Sequence, residues 1–223
     1  MIDFATARRN MVDNQLRPNR VTAPALVQAL LETPRELFVP ERARHVAYVD
    51  EDIALQGSTA DGSRWLMEPM VFARLLQAAN IDKSEVVLDI GCGTGYGTAV
   101  LSRLATTVVA VESDARLSEA ASVNLEKLRV DNVALISAPL TAGCPAQAPY
   151  GVIVFEGAIQ GISDAIGAQL AEGGRLVAVL REGPGMGKAI LALRRDGRLS
   201  HRVLFDAATP HLPGFAPEPS FVF

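Results

Sequence analysis

Between Val86 and Gly97 the chain reads Val-Val-Leu-Asp-Ile-Gly-Cys-Gly-Thr-Gly-Tyr-Gly, and no other stretch constrains the fold as tightly. An apolar run, then glycines, then a helical pattern over Thr98 to Leu104 is the order of a buried parallel strand, a tight turn and a helix whose N-terminus faces a ligand. In the dinucleotide fingerprint the third glycine falls three residues after the second, where it lets helix and strand pack closely. Tyr96 holds that position here, and the glycines recur instead at every second residue, Gly91, Gly93 and Gly95, preceded by Asp89. A second apolar run, Val108 to Val111, ends in Glu112. A carboxylate at the tip of the neighbouring strand can accept both hydroxyls of a ribose. Loop and carboxylate together predict a nucleotide-type cofactor site.

The Asp-x-Gly-x-Gly-x-Gly spacing resembles the S-adenosylmethionine loop of class I methyltransferases, in which the backbone passes close under the methionine part of the cofactor. The rest of the chain agrees. Leu117, Ala121, Leu125 and Leu128 form one stripe on a helix begun by Ser113-Asp114, and apolar runs follow at Val133 to Ile136 and Val152 to Phe155. A helix over Ser163 to Ala171 leads through Gly173-Gly174 to a strand at Arg175 to Leu180. Such alternation predicts an α/β fold: a doubly wound, mostly parallel, Rossmann-like sheet with ligands at the carboxyl ends of its strands. Ala189 to Arg194 and Leu199 to Phe205 flank an Asp196-Gly197 turn and predict an antiparallel C-terminal hairpin. Pro210 to Pro219 is expected to wrap the surface, and Phe221-Val222-Phe223 to add a short edge strand.

Upstream, a helix over residues 3 to 16 has Asp3 as N-cap, and a second is capped by Thr22 with Pro24 in its first turn. Residues 51 to 67 read as a long, functional loop with Gly57, Ser58, Thr59, Gly62 and Ser63, and a core helix follows Glu68-Pro69. The division expected is an N-terminal helical extension with an acceptor-side loop over 1–80 and a cofactor-binding core over 81–223.

The 223 residues suffice for one sizeable core. A net charge of −4 argues against general nucleic-acid binding, and no apolar run is long enough to span a bilayer. A cytoplasmic protein is expected, with the oligomeric state open. Cys92, Cys144, His45, His201 and His211 are too scattered for a metal site.

Met11-Val12 with Gln15-Leu16, Pro34-Arg35-Glu36 with Phe38-Val39-Pro40, Tyr48-Val49-Asp50, Ala148-Pro149-Tyr150, and Gln169-Leu170 with Gly173-Gly174-Arg175-Leu176 resemble the protein-L-isoaspartate O-methyltransferase family over nearly the whole chain. The resemblance implies methyl transfer from S-adenosylmethionine to the misplaced carboxylate of isoaspartyl residues in damaged proteins, whose ester then collapses to a succinimide. It places Asp89, Gly91, Cys92, Gly93, Gly95, Glu112 and Ser113 at the cofactor, and Pro139 and Leu140 near its adenine.

The chain departs from the family on the acceptor side. Where the family reads Gly-Gln-Thr-Ile-Ser-Gln-Pro, residues 63 to 69 are Ser-Arg-Trp-Leu-Met-Glu-Pro, so Trp65 and Met67 replace small hydroxyl residues. The family's Gly-Asp-Gly is Ala138-Pro139-Leu140, and its Gly-Ala-Ala is Glu156-Gly157-Ala158. The acceptor-side candidates are Ser58, Thr59, Ser63 and Glu156. If Glu156 faces the acceptor it repels a carboxylate, making isoaspartyl peptides poor substrates and favouring a cationic or neutral, even small-molecule, acceptor; the alternative is a pair with Arg64 or Arg181. A module that keeps the fold and cofactor without turnover is the third reading.

Overall fold

The computed structural model describes residues 2–55, 64–183 and 185–216. Helix α1 (Phe4–Asn10) starts as expected, with the Thr6 N–H donating to Asp3 Oδ1 at 3.0 Å. The pattern that runs on to residue 16 is realised as a π-helical stretch, Met11–Leu16. Its i to i+5 repeat stacks Met11 over Leu16, and both side chains enter the core. Helix α2 (Pro24–Glu32) is not capped by Thr22. Its free amides at Thr22 and Ala23 instead donate to Gln77 Oε1, at 2.6 and 3.0 Å, from helix α3 (Pro69–Ala79). A tertiary partner thus replaces the local cap.

The expected loop over 51–67 contains a small antiparallel pair, β1 (Ile53–Ala54) and β2 (Trp65–Leu66). Ser58, Thr59 and Ser63 lie outside the described residues, as do Phe221, Val222 and Phe223.

The main sheet uses β3 (Val86–Ile90), β4 (Thr107–Glu112), β5 (Val133–Ser137), β6 (Tyr150–Ile159), β7 (Leu170–Leu180), β8 (Gly187–Arg195) and β9 (Arg198–Ala207), in the order β5-β4-β3-β6-β7-β8-β9. Strands β3 to β7 pair in parallel and the last two antiparallel. Strand order reverses at β3, which lies between β4 and β6, and a crevice at such a switch point is where ligands enter these sheets. The β8–β9 turn is the Asp-Gly hairpin anticipated, with φ of 52° at Asp196 and 71° at Gly197.

Helices α4 (Tyr96–Ser102) and α5 (Ala115–Lys127) follow β3 and β4, and Asp114 caps α5 by accepting from Arg116 N at 2.9 Å. Helix α6 (Asp164–Gly167) is a single turn, not the longer helix expected through Ala171. The chain turns early because Leu170 already pairs with Tyr150, and Gln169 is drawn into hydrogen bonds with Cys144 N and the carbonyls of Ala142 and Ala165.

Alternation along the strands divides the core. Val87, Val108, Val152, Val154, Val177 and Val179 share one cluster with the N-terminal helices, α3, α4 and α5. Leu88, Ile90, Val111, Ile153, Phe155 and Leu176 face the other, which includes Leu140, Ile166, Leu212 and Phe215. The 210–215 segment therefore does not wrap the surface. It crosses the carboxyl end of β6, with Ala158 N donating to Pro210 O, Leu212 N to Ala158 O and Gln160 N to Phe215 O, and buries Leu212 and Phe215. Among the described residues, no helix is long and apolar enough to cross a membrane and no cluster of side chains could hold a metal ion.

Candidate cofactor cleft

Gly91, Gly93 and Gly95 adopt φ of 83°, 55° and 92°, in the left-handed region that disfavours a side chain. The turn aims Gly93 N–H at Glu112 Oε2, 2.8 Å away, while Oε1 accepts from Ser113 N at 2.8 Å and Asp114 N at 3.0 Å. Glu112 is wholly buried. Its oxygens are not free for a ribose in this arrangement, because Arg64 Nη2 lies 2.8 Å from Oε2 and also donates to Gly91 O at 2.8 Å. Arg64 is itself 2% exposed, so the pair is shielded from water.

The space over the loop is filled as well. A Cβ built on Gly91 would stand 2.7 Å from Leu212 Cδ2 and 3.3 Å from Arg64 Nη2; one on Gly93 would stand 2.9 Å from Leu55 Cδ1. Leu212 also covers Gly157, at 2.7 Å from the corresponding position. At the expected adenine end, Pro139 and Ser113 are exposed, whereas Leu140 is buried in the cluster of Leu212 and Phe215. The Phe215 ring meets Phe155 edge to face, centroids 5.3 Å apart. A cavity of about 430 Å³ lies beside the loop instead, lined by Phe38, Val39, Leu117 and Asn124 and reaching the loop at Thr94.

The framework fits an adenosyl amino acid: a backbone cradle that tolerates no Cβ and a strand-tip carboxylate matched to hydroxyl donors. What stands in the cradle is the chain's own Arg64, Leu55 and Leu212.

Asp89 and Glu156 are brought together beneath the loop rather than in the cleft. Asp89 is fully buried, and its Oδ2 accepts from Thr98 Oγ1 at 2.6 Å. Asp89 pairs with Val154 across β3 and β6, and Glu156, two residues on, faces the same side toward α4. Its carboxyl lies so close to α4 that a Cβ on Gly97 would come within 1.9 Å of Oε1. The expected acceptor-facing carboxylate is thus corrected: Glu156 is 4% exposed, and its proton affinity is set by burial and by the neighbouring Asp89 carboxyl rather than by an ion pair with Arg64 or Arg181. Burial raises both groups, Asp89 to about 6 and Glu156 well above the usual carboxylate range; the Asp89 charge lifts Glu156 further, whereas at Asp89 the contacts with Thr98 and Glu156 work against the rise. Both shifts run toward the protonated carboxyl, and more so at Glu156. Burial likewise pushes the Cys92 thiol up, so Cys92 contributes backbone and no thiolate.

Sequence reasoning missed two cations. Arg35, fully buried, donates from Nε to Ala47 O at 2.8 Å and from Nη2 to Met67 O at 2.7 Å, with Cζ 4.7 Å from the Tyr96 ring centre. Arg64, expected only as a possible partner of Glu156, is the second. The signal available for it was its position between a glycine-serine stretch and an apolar hairpin strand. Met67 is buried in the core, and Trp65 is half-buried on β2.

A switch-point crevice with this loop and strand-tip carboxylate defines a class I methyltransferase fold. Residues 7–204 match the family model "Protein-L-isoaspartate(D-aspartate) O-methyltransferase", and the chain belongs to that family. It is similar to the protein-L-isoaspartate O-methyltransferases of Koribacter versatilis, at 34% identity covering 91% of this chain and 89% of that one, and of Methylorubrum extorquens, at 36% covering 88% and 82%. A solved protein-L-isoaspartate O-methyltransferase superposes with a TM-score of 0.81 at 26% identity, covering 93% of this chain and 66% of the other. A Plasmodium falciparum protein assigned to the same family, solved with S-adenosyl-L-homocysteine, shares the fold at a TM-score of 0.76 and 15% identity.

Proposed function

We propose that the protein methylates a carboxylate of damaged protein or peptide substrates, the isoaspartyl side chain being the acceptor and S-adenosylmethionine the donor. The observation that carries this reading is Glu112 at the carboxyl end of β4, sharing Gly93 N–H with the loop one strand away. S-adenosylmethionine supplies an electrophilic methyl group on its sulfonium. The loop amides, Glu112 and Ser113 bind and orient it, with Pro139 and Leu140 toward the adenine. The acceptor is ionised near pH 7, so the chain needs no base and contributes mainly alignment. Because Glu156 is buried under α4 and its proton affinity is raised well above the usual range, it does not project a charge into the acceptor space. The charge part of the objection to an isoaspartyl substrate is thereby removed, while Trp65 and Met67 still offer no hydroxyl. Ser58, Thr59 and Ser63 remain the proposed acceptor-side hydroxyls.

The test is transfer of labelled methyl groups to paired peptides that differ only in an isoaspartyl or aspartyl residue. A base-labile ester on the isoaspartyl peptide alone is expected; no transfer by protein that binds S-adenosylhomocysteine would remove the reading. Since Glu112 also holds Arg64, its role is read in an Arg64→Gln background. There Glu112→Gln is expected to weaken S-adenosylhomocysteine binding by about 1.5–3 kcal/mol in calorimetry, the range for hydrogen bonds to a charged group.

A further inference from the structure

We propose that the cofactor cleft is gated by the chain itself, with Arg64 latched on Glu112 and Leu212 plugging the glycine cradle, so that cofactor enters only when both side chains leave. The inference rests on the reading of this cleft as the S-adenosylmethionine site.

Three observations converge on it. Arg64 Nη2 bridges Glu112 Oε2 and Gly91 O, two acceptors on the strand tip and the loop that a bound cofactor needs. Leu212 fills the space beside Gly91 and Gly157 from a separate part of the chain. The strap that delivers it is clipped to β6 by hydrogen bonds on both sides of Ala158, each of 2.9 Å. Latch and plug also converge on one point, standing 3.3 and 2.7 Å from a Cβ position on Gly91.

The closed arrangement is built to be exchanged. Arg64 Nε is buried without a hydrogen-bond partner among the described residues, so the guanidinium is incompletely satisfied. Glu112 keeps the amides of Gly93, Ser113 and Asp114 when Arg64 departs, so opening does not strand a bare buried carboxylate. A vicinal diol brings hydroxyl donors in place of the lost N–H. Hydroxyl-for-guanidinium exchange makes the closed state a competitor of the ligand, and apparent affinity falls by the fraction of molecules that are open.

Calorimetry and stopped-flow binding of S-adenosylhomocysteine to the full chain test this, with Arg64→Gln and Leu212→Ala as independent variants and amide hydrogen exchange followed at Ala158, Gln160 and Leu212. Each variant is expected to bind tenfold or more tightly than wild type, with faster association, and saturating ligand is expected to accelerate exchange at Leu212. Equal or weaker affinity in both variants, or a Leu212 amide that stays protected in the saturated wild-type complex, overturns the gate while leaving the proposed function in place. Absence of binding by wild type and both variants overturns the gate and the cofactor reading together.

Discussion

Arg35→Ala is expected to cost about 2–6 kcal/mol of folding stability, from two buried carbonyls left without a donor. Arg35 joins two segments, reaching the carbonyl of Ala47, after the 41–46 turn, and that of Met67, after β2, beside the bonds from Glu68 N to Asp52 and Met70 N to Asp50. Alanine would leave both acceptors buried without donors, at about 1–3 kcal/mol for each unsatisfied group. It would also leave a void against Tyr96, whose ring meets Phe38 and Phe72 at 5.7 and 5.8 Å. Arg35→Lys is expected to fall between, because an ammonium can serve one carbonyl but lacks the fork that reaches two directions. Urea unfolding monitored by far-ultraviolet dichroism reads all three proteins, and a loss below about 1 kcal/mol for alanine would show that the network is dispensable. The consequence reaches the cleft, since Met67 lies on the segment that delivers Arg64.

The Pro34 to Pro40 stretch shows what a sequence can and cannot disclose. Its resemblance to the family is specific because its residues are structural ties: Arg35 as above, Glu36 to Arg8 at 3.2 Å and to the Tyr48 hydroxyl, and the Phe38 carbonyl to Thr94 Oγ1 of the glycine loop at 2.5 Å. None of these ties has a local signature, because each partner is remote in the chain. The strand, loop and helix at 86–102 were legible for the opposite reason. Their pattern is set by burial of consecutive residues and by backbone angles that only glycine adopts cheaply. The Asp196-Gly197 turn is legible on the same ground.

The candidate site was legible as a framework and not as a filled volume. The placement of Glu112 follows from where β4 ends, but its partner Arg64 comes from 48 residues upstream, and Leu212 arrives from beyond the last strand. Alternation along β6 puts Glu156 on the face of Val152, Val154 and Ala158, but the sequence alone does not tell that this face lies under α4 rather than open to the cleft. One residue did hold the answer. Gly97 lies in the first turn of α4, and the carboxyl of Glu156 packed on it leaves no room for a Cβ.

That packing makes two coupled expectations for the Asp89–Glu156 pair. Gly97→Ala in an unobstructed helix would stabilise by about 1 kcal/mol. Here the new methyl would sit 1.9 Å from Glu156 Oε1 and 2.5 Å from Cδ, so a buried carboxyl must move, and a net loss of about 1–3 kcal/mol is expected from overpacking. In a Glu156→Ala background the obstruction is gone and the same substitution should be neutral or stabilising; the double-mutant cycle isolates the contact. The second expectation concerns pH. Both folded-state proton affinities are raised, Asp89 to about 6 and Glu156 further, whereas unfolded carboxyls titrate near 4. The folded chain therefore holds a proton that the unfolded chain has released, and the pair's contribution is full below pH 4 and is lost as pH rises through 6 and beyond. One such proton gives a slope of up to about 1.4 kcal/mol per pH unit. Glu68, raised to about 7 by burial and then by Asp50, Asp52 and Glu51, slopes the same way, so the comparison that isolates the pair is wild type against Glu156→Gln. The amide donates to Asp89 at every pH and carries no titrating proton. Urea unfolding from pH 4.5 to 8.5 should give near-equal stabilities at the acid end and a growing advantage for Glu156→Gln toward the alkaline end. Parallel curves would mean that Glu156 does not hold a proton in the folded chain, and a stabilising Gly97→Ala in the wild type would mean that its carboxyl does not lie on α4.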